Sequence, residues 1–151
     1  MRTLIKLSPH FDLDEFTVSQ YGDRRNLDNT PDLVALANLR TTAAGMELVR
    51  EELGGNPITI SSAYRSVRIN KGIGGSANSQ HCEGKAVDFK CSAFGTPLDI
   101  VNAIRKSGIK YDQLILEFWS GGQTGWVHIS FDHNPRMQCL IIDKKGTRRF
   151  A

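Results

Sequence analysis

The sequence predicts an α+β domain, with helices packed on a small, mostly antiparallel sheet. Three observations predict it. The helical and strand-like segments do not follow a regular βαβ alternation. Two strand-like runs, DQLILEFW (residues 112–119) and WVHISF (126–131), flank a glycine-containing link, SGGQTG, that suits a hairpin. A long segment over residues 31–53 repeats Leu36, Leu39, Ala43, Met46 and Leu53 at spacings of three, four or seven, the apolar stripe of a helix lying on a core.

The remaining elements follow from local chemistry. Residues 12–21 read as a short helix: Asp12 followed by Glu15 is a capping-box pattern, and Phe16 is the residue to bury. Residues 22–29 are polar and read as a loop. Thr30 reads as the N-cap of the long helix and Pro31 as its first residue; Gly54 and Gly55 stop it. Residues 57–61 (PITIS) read as a strand and 62–79 as a loop carrying Gly72, Gly74 and Gly75. Residues 85–90 read as a strand with Ala86, Asp88 and Lys90 on one face. Thr96 and Pro97 open a helix that runs to Lys106 and stops at Gly108. The tail, residues 137–150, reads as a strand pair around 143–146. There is no repeat, linker or low-complexity block, so residues 1–151 are expected to form one domain.

At 151 residues the chain is long enough to bury a core. Its 40% apolar and 23% charged composition is that of a globular protein. A net charge of +3 is too mild to mark a nucleic-acid binder, though it is compatible with an anionic polymer such as a bacterial cell wall. Cys82, Cys91 and Cys139 have no framework spacing and read as reduced thiols. The N-terminal segment lacks the apolar run of a signal peptide, and no window approaches a transmembrane span. The expectation is a chain made in the cytoplasm, with no membrane insertion. If its substrate lies outside the membrane, something else must release it.

The chemistry concentrates in SQHCEGKAVDF, residues 79–89, which carries His81 and Asp88 around a glycine turn at Gly84. GWVHISF adds His128. Two imidazoles and a carboxylate are the donors zinc takes in catalytic sites that keep an open position for water. Pleat parity sets Trp126, His128 and Ser130 on one face, and Gln113, Ile115, Glu117 and Trp119 on one face of the other strand. A hairpin brings Glu117 near His128, Asp88 joins from its own strand, and His81 comes from the preceding loop. The result is three metal donors with a general base beside them. The plainer reading is structural: Asp88, between Val87 and Phe89, needs a partner, and Lys85, Arg65 or Arg68 would serve for it or for Glu117. Local pattern leaves both readings open. Arg65, in SSAYRS, is placed to hold a substrate carboxylate or carbonyl by a bidentate contact, or to form an ordinary salt bridge. Tyr64, His10, His133 and the cysteines read as packing or surface residues.

At these residues the chain resembles a known family. Ser79, His81, Gly84, Ala86 and Asp88 match the S-x-H-x-x-G-x-A-x-D signature of the zinc D-Ala-D-Ala carboxypeptidases and related wall peptidases, among them vancomycin-resistance dipeptidases and phage endolysins. The hedgehog signalling domain shares the zinc site. SSAYRS resembles the S-G-Y-R-S phrase of this group, and YDQLILEF with WVHISF resembles its closing hairpin. The resemblance covers nearly the whole chain and is closest to the compact phage branch. It implies a hedgehog/DD-peptidase-like fold, Zn²⁺ as cofactor, His81, Asp88 and His128 as its ligands, Glu117 as base and Arg65 as a substrate contact. It departs in two places. Many relatives carry the acid three residues before the last His, where this chain has Gly125, leaving Asp112 as an alternative base on the opposite face from Glu117. Ala63 stands where the phrase has Gly. The implied function is a monomeric zinc metallopeptidase cutting peptidoglycan stem peptides, as a D-Ala-D-Ala carboxypeptidase or endopeptidase, in a phage endolysin that acts on the wall after release. The alternatives are a catalytically silent zinc-stabilised binding or virion-associated module, and a nucleic-acid-associated protein using the basic residues around Arg136 and Lys144, Lys145, Arg148 and Arg149. The last four read more simply as a solvated tail.

Overall fold

The computed structural model describes residues 5–151. Residues 1–4, part of the segment from which the lack of a signal peptide is read, lie outside the described residues. In chain order the elements are β1 (Lys6–Ser8), β2 (Phe11–Asp12), α1 (Leu13–Thr17), α2 (Gln20–Arg24), α3 (Leu33–Glu52), β3 (Thr59–Ser62), α4 (Val67–Gly72), β4 (Ala86–Lys90), α5 (Pro97–Ser107), β5 (Gln113–Glu117), β6 (Trp126–Ser130), β7 (Gln138–Asp143) and β8 (Gly146–Arg149). This is the expected α+β arrangement. β1 and β2 form a small ladder, and the other six strands form one sheet in the order β3-β4-β6-β5-β7-β8. Every neighbouring pair in that sheet is antiparallel except β5 and β7.

Several boundaries differ from the sequence reading, each for a local reason. The helix expected over 12–21 is broken. Glu15 Oε1 does accept from the Asp12 N–H at 3.1 Å, but Val18 is extended and Ser19 caps a new helix, its Oγ accepting from Gly22 N–H at 3.1 Å. Residues 20–24, partly read as loop, are therefore helical. The N-cap of α3 is Asp32, not Thr30: Asp32 Oδ1 accepts from Ala35 N–H at 2.8 Å, while the Thr30 hydroxyl turns back to Asp28. Both are good cap residues, and the carboxylate two positions on sets the start. Inside the expected 62–79 loop, Ser66 caps the short α4 through Ile69 N–H. β5 ends at Glu117, two residues before Trp119, because Phe118 takes a left-handed backbone (φ 52°). The last strand pair turns at 143–146 as expected.

The apolar pleat of the sheet is closed by helices. Val87, Phe89, Leu114, Leu116, Val127 and Ile129 join Leu39, Ala43, Met46 and Val49 of α3 and Ile100, Val101 and Ile104 of α5 in one core. α5 starts with Thr96 and Asp99 in a reciprocal capping box, Pro97 at its first turn, and ends on left-handed Gly108. With that face buried, a register slip of one residue would turn core side chains to solvent, so the parity of the opposite face is fixed. Among the described residues, no helix is long and apolar enough to cross a membrane.

Candidate metal centre

The register of the three central strands builds one row across the sheet. Asp88 on β4 pairs with His128 on β6, and His128 pairs with Ile115 on β5. Glu117 pairs with Trp126, one step along the same face. Asp88 Oδ1 lies 2.9 Å from His128 Nδ1, and Glu117 Oε1 lies 3.7 Å from the same nitrogen. Residues adjacent on one pleated face meet in this way whenever the register is antiparallel and unbroken.

His81 enters from the loop before β4, which is bound at each turn. Ser79 Oγ accepts from His81 N–H at 3.2 Å, and Arg65 N–H donates to His81 O at 3.1 Å. Gly84 then turns the chain with φ 75°, where an added Cβ would lie 2.7 Å from Ala35 O; glycine is what the turn against α3 admits. α3 holds the turn by hydrogen bonds from Thr42 Oγ1 to Gly84 O (2.7 Å) and from Asn38 Nδ2 to Glu83 O (2.8 Å). The imidazole is buried, and its Nδ1 lies 2.7 Å from Ala63 O. A carbonyl accepts, so Nδ1 carries the proton and Nε2 presents a lone pair.

That lone pair faces Asp88 Oδ1 at 3.4 Å. Burial pushes His81 toward its neutral form, against the attraction of Asp88. A neutral nitrogen and a carboxylate oxygen face to face repel unless a positive centre lies between them. Burial also pushes the Asp88 carboxyl up, but the hydrogen bond from His128 outweighs it and holds Asp88 well below the usual carboxylate range. The three donor atoms all lie within 4.8 Å of one another, a cluster that could hold a metal ion. Tetrahedral zinc bonds of about 2.0–2.1 Å place neighbouring donors about 3.3 Å apart, close to the 2.9 and 3.4 Å separations found here. His128 Nε2 is buried without a hydrogen-bond partner, so the polar contacts of this ring are to the cluster's carboxylates. The donor set fits a zinc ion.

Glu117 differs from Asp88. Burial and the neighbouring Asp88 charge raise its carboxyl, with His128 and Arg65 opposing. Two carboxylates a few ångströms apart are thus pushed in opposite directions, the pattern of one metal donor and one proton carrier. Gly125, the position where relatives place an acid, has φ 67°, and a Cβ there would collide with the backbone carbonyl of Glu117 itself. No side chain fits there, and the acid beside His128 comes from β5 instead.

Arg65 lines the same cleft as these residues, a concavity of about 770 Å³. Its flanks are clamped by Asn29, whose Nδ2 donates to Tyr64 O (3.1 Å) and whose Oδ1 accepts from Ser66 N–H (2.8 Å). The sequence reading missed Asn29; an isolated Asn in a polar loop gives no signal of a partner so far along the chain. It also missed a network at the other end of the cleft. Asp112 accepts from Arg136 Nε (2.9 Å), Arg136 Nη2 (2.7 Å), Arg136 N–H (3.0 Å) and Gln80 Nε2 (2.9 Å). Asp112 is committed to this network and lies off the row formed by Asp88, His128 and Ile115. Arg136 hydrogen bonds hold the Asp112 carboxyl at about 2, below the 3.8 of a free aspartate. The folded state therefore binds fewer protons than the unfolded one as pH falls. The stabilisation is complete above about pH 4 and is lost as pH falls through about 2. Asp112→Asn is expected to flatten the acid limb of a thermal-midpoint-against-pH curve over that window; an unchanged limb would count against the network.

Comparison with known proteins agrees with this geometry. A family model described as Peptidase M15 matches residues 9–130. A zinc D-Ala-D-Ala carboxypeptidase of Streptomyces albus G is 36% identical over 61 residues, covering 40% of this chain and 24% of that enzyme. The chain thus spans about a quarter of the length of the curated relative it matches.

Proposed function

Because the chain belongs to the peptidase M15 family, we propose that it is a zinc metallopeptidase that hydrolyses peptide bonds in peptidoglycan stem peptides. The observation that supports this most is the convergence of His81, Asp88 and His128 on one point, with the raised carboxyl of Glu117 beside them in an open cleft. His81, Asp88 and His128 would hold the ion. When bound, zinc supplies Lewis acidity, lowering the pKa of a coordinated water toward about 7 and polarising a carbonyl.

The protein's own groups do the rest. Glu117 takes the proton of the attacking water and hands it to the departing amine; a carboxyl raised by burial is better matched to that exchange than an exposed one. Asp88 stays ionised. The Ala63 carbonyl fixes the tautomer and orientation of His81. Arg65 holds a substrate carboxylate or carbonyl, its segment fixed by Asn29. The substrate class comes from the Streptomyces albus G relative, a zinc D-Ala-D-Ala carboxypeptidase by name; the cut is a D-Ala-D-Ala carboxypeptidase or an endopeptidase cleavage. Wall lysis in a phage setting is the role that the resemblance to the compact phage branch supports.

Mass spectrometry of muropeptides after digestion with the zinc-loaded protein tests this reading. Loss of a terminal D-alanine marks a carboxypeptidase, and a split stem or cross-bridge marks an endopeptidase. An unchanged muropeptide profile with stoichiometric zinc would instead favour the catalytically silent binding module.

A further inference from the structure

We propose that Arg136 is a specificity-determining residue of the cleft, recognising a carboxylate on the substrate about three residues from the attacked bond. The inference rests on the peptidase reading of the site and goes beyond it.

Arg136 lies on the connection from β6 to β7. Because β7 runs parallel to β5, this connection must cross the start of β5 at the end of the sheet. There Arg136 meets Asp112 and lines the same cleft as the metal cluster. Its Nε and Nη2 are spent on the buried Asp112, which also takes the Gln80 amide. Its Nη1 has no partner among the described residues, and its side chain is 55% exposed where Asp112 is 4% exposed. The guanidinium is thus held from behind by a buried carboxylate and presents its free edge outward. A pre-oriented guanidinium edge takes a carboxylate with less ordering cost than a free arginine. Met137 follows with a left-handed backbone (φ 52°), its N–H donating to Tyr111 O at 3.1 Å, so the segment carrying Arg136 is itself fixed.

The charges lining the cleft fall into two places. Asp88, Glu117 and Arg65 belong to the metal end; Glu117 and His81 both feel the Arg65 charge. The other lining cation is Arg136, which is paired with Asp112 and also feels the Asp132 charge; Gln113, Ser76 and Asn78, which line the same cleft, are neutral. Asp112 precedes Ile115, the partner of His128, by three positions, or about 10 Å along a strand. An extended peptide covers that span in about three residues. A substrate bound along β5 with its scissile carbonyl at the metal row therefore brings a carboxylate at that remove under Arg136.

The test uses two stem-type peptides that differ by a carboxylate or a carboxamide on the third residue from the attacked bond. They are titrated into the zinc-loaded Glu117→Gln protein, in which slowed turnover leaves the peptides intact over the titration. The acid is expected to bind about tenfold tighter than the amide. Adding Arg136→Gln should abolish that preference and leave the amide's Kd unchanged. Arg136→Lys, which keeps a charge against Asp112 but loses the free guanidinium edge, should lose most of the preference while the protein stays folded, as its circular dichroism and zinc content show. A preference that survives both variants, an equal weakening of both peptides, or no binding of either peptide overturns the proposal. Failure of the peptidase reading shows separately, as an unchanged muropeptide profile with the wild-type protein.

Discussion

His81→Ala is expected to cost stoichiometric zinc and, with it, all measurable hydrolysis. Loss of a partner that merely orients a ligand weakens metal binding by about 10–100-fold; loss of the ligand itself should exceed that. The remaining pair, Asp88 and His128, lies 2.9 Å apart and would satisfy each other by a hydrogen bond in place of an ion. Elemental analysis after dialysis against a weak chelator reads the result directly. Retention of one equivalent of zinc would remove His81 from the site. The metal-free melting temperatures of both proteins separate this loss from misfolding, since the variant also gives up the bond from His81 Nδ1 to Ala63 O.

Glu117→Gln is expected to keep zinc and lower kcat by about 10²–10⁴-fold, the range that general acid–base catalysis contributes. The substituted amide is nearly the same size as the carboxylate, and it would relieve both the burial cost of the charge and the repulsion with Asp88 that raise the native carboxyl. Zinc affinity should therefore fall little. Cleavage near the wild-type rate would place the proton carrier elsewhere. Asp112 would be a poor second choice, being bound on both oxygens by Arg136 and Gln80.

The metal row was legible in the sequence because it depends on parity. Glu117 and His128 lie on strands joined by a short link, and an alternating pattern states which way each side chain points. The S-x-H-x-x-G phrase was legible because its parts are local: a serine hydroxyl on the His81 amide, a glycine where the chain turns against α3. What the sequence concealed was either ambiguous or distant. Thr30 and Asp32 are competing caps two residues apart, and only the packed helix chooses. α4 is a single capped turn and a half among glycines. The parallel pairing of β7 with β5 leaves no local trace, and neither do the Asp112–Arg136 and Asn29–Tyr64 contacts that depend on the connections between elements.

The pairing of β4 with β6 bears on how the molecule folds. β5 and β6 are close in sequence and can zip as a hairpin on their own; β4 must find β6 across α5 and β5, which makes it a slow, long-range closure. The three candidate metal donors sit on opposite sides of that closure: His81 and Asp88 come with β4, His128 with β6. An ion therefore has no complete site until the two halves dock, and it tightens the docked state alone. Zinc would then slow unfolding more than it speeds folding, acting as a latch on that closure rather than as its nucleus.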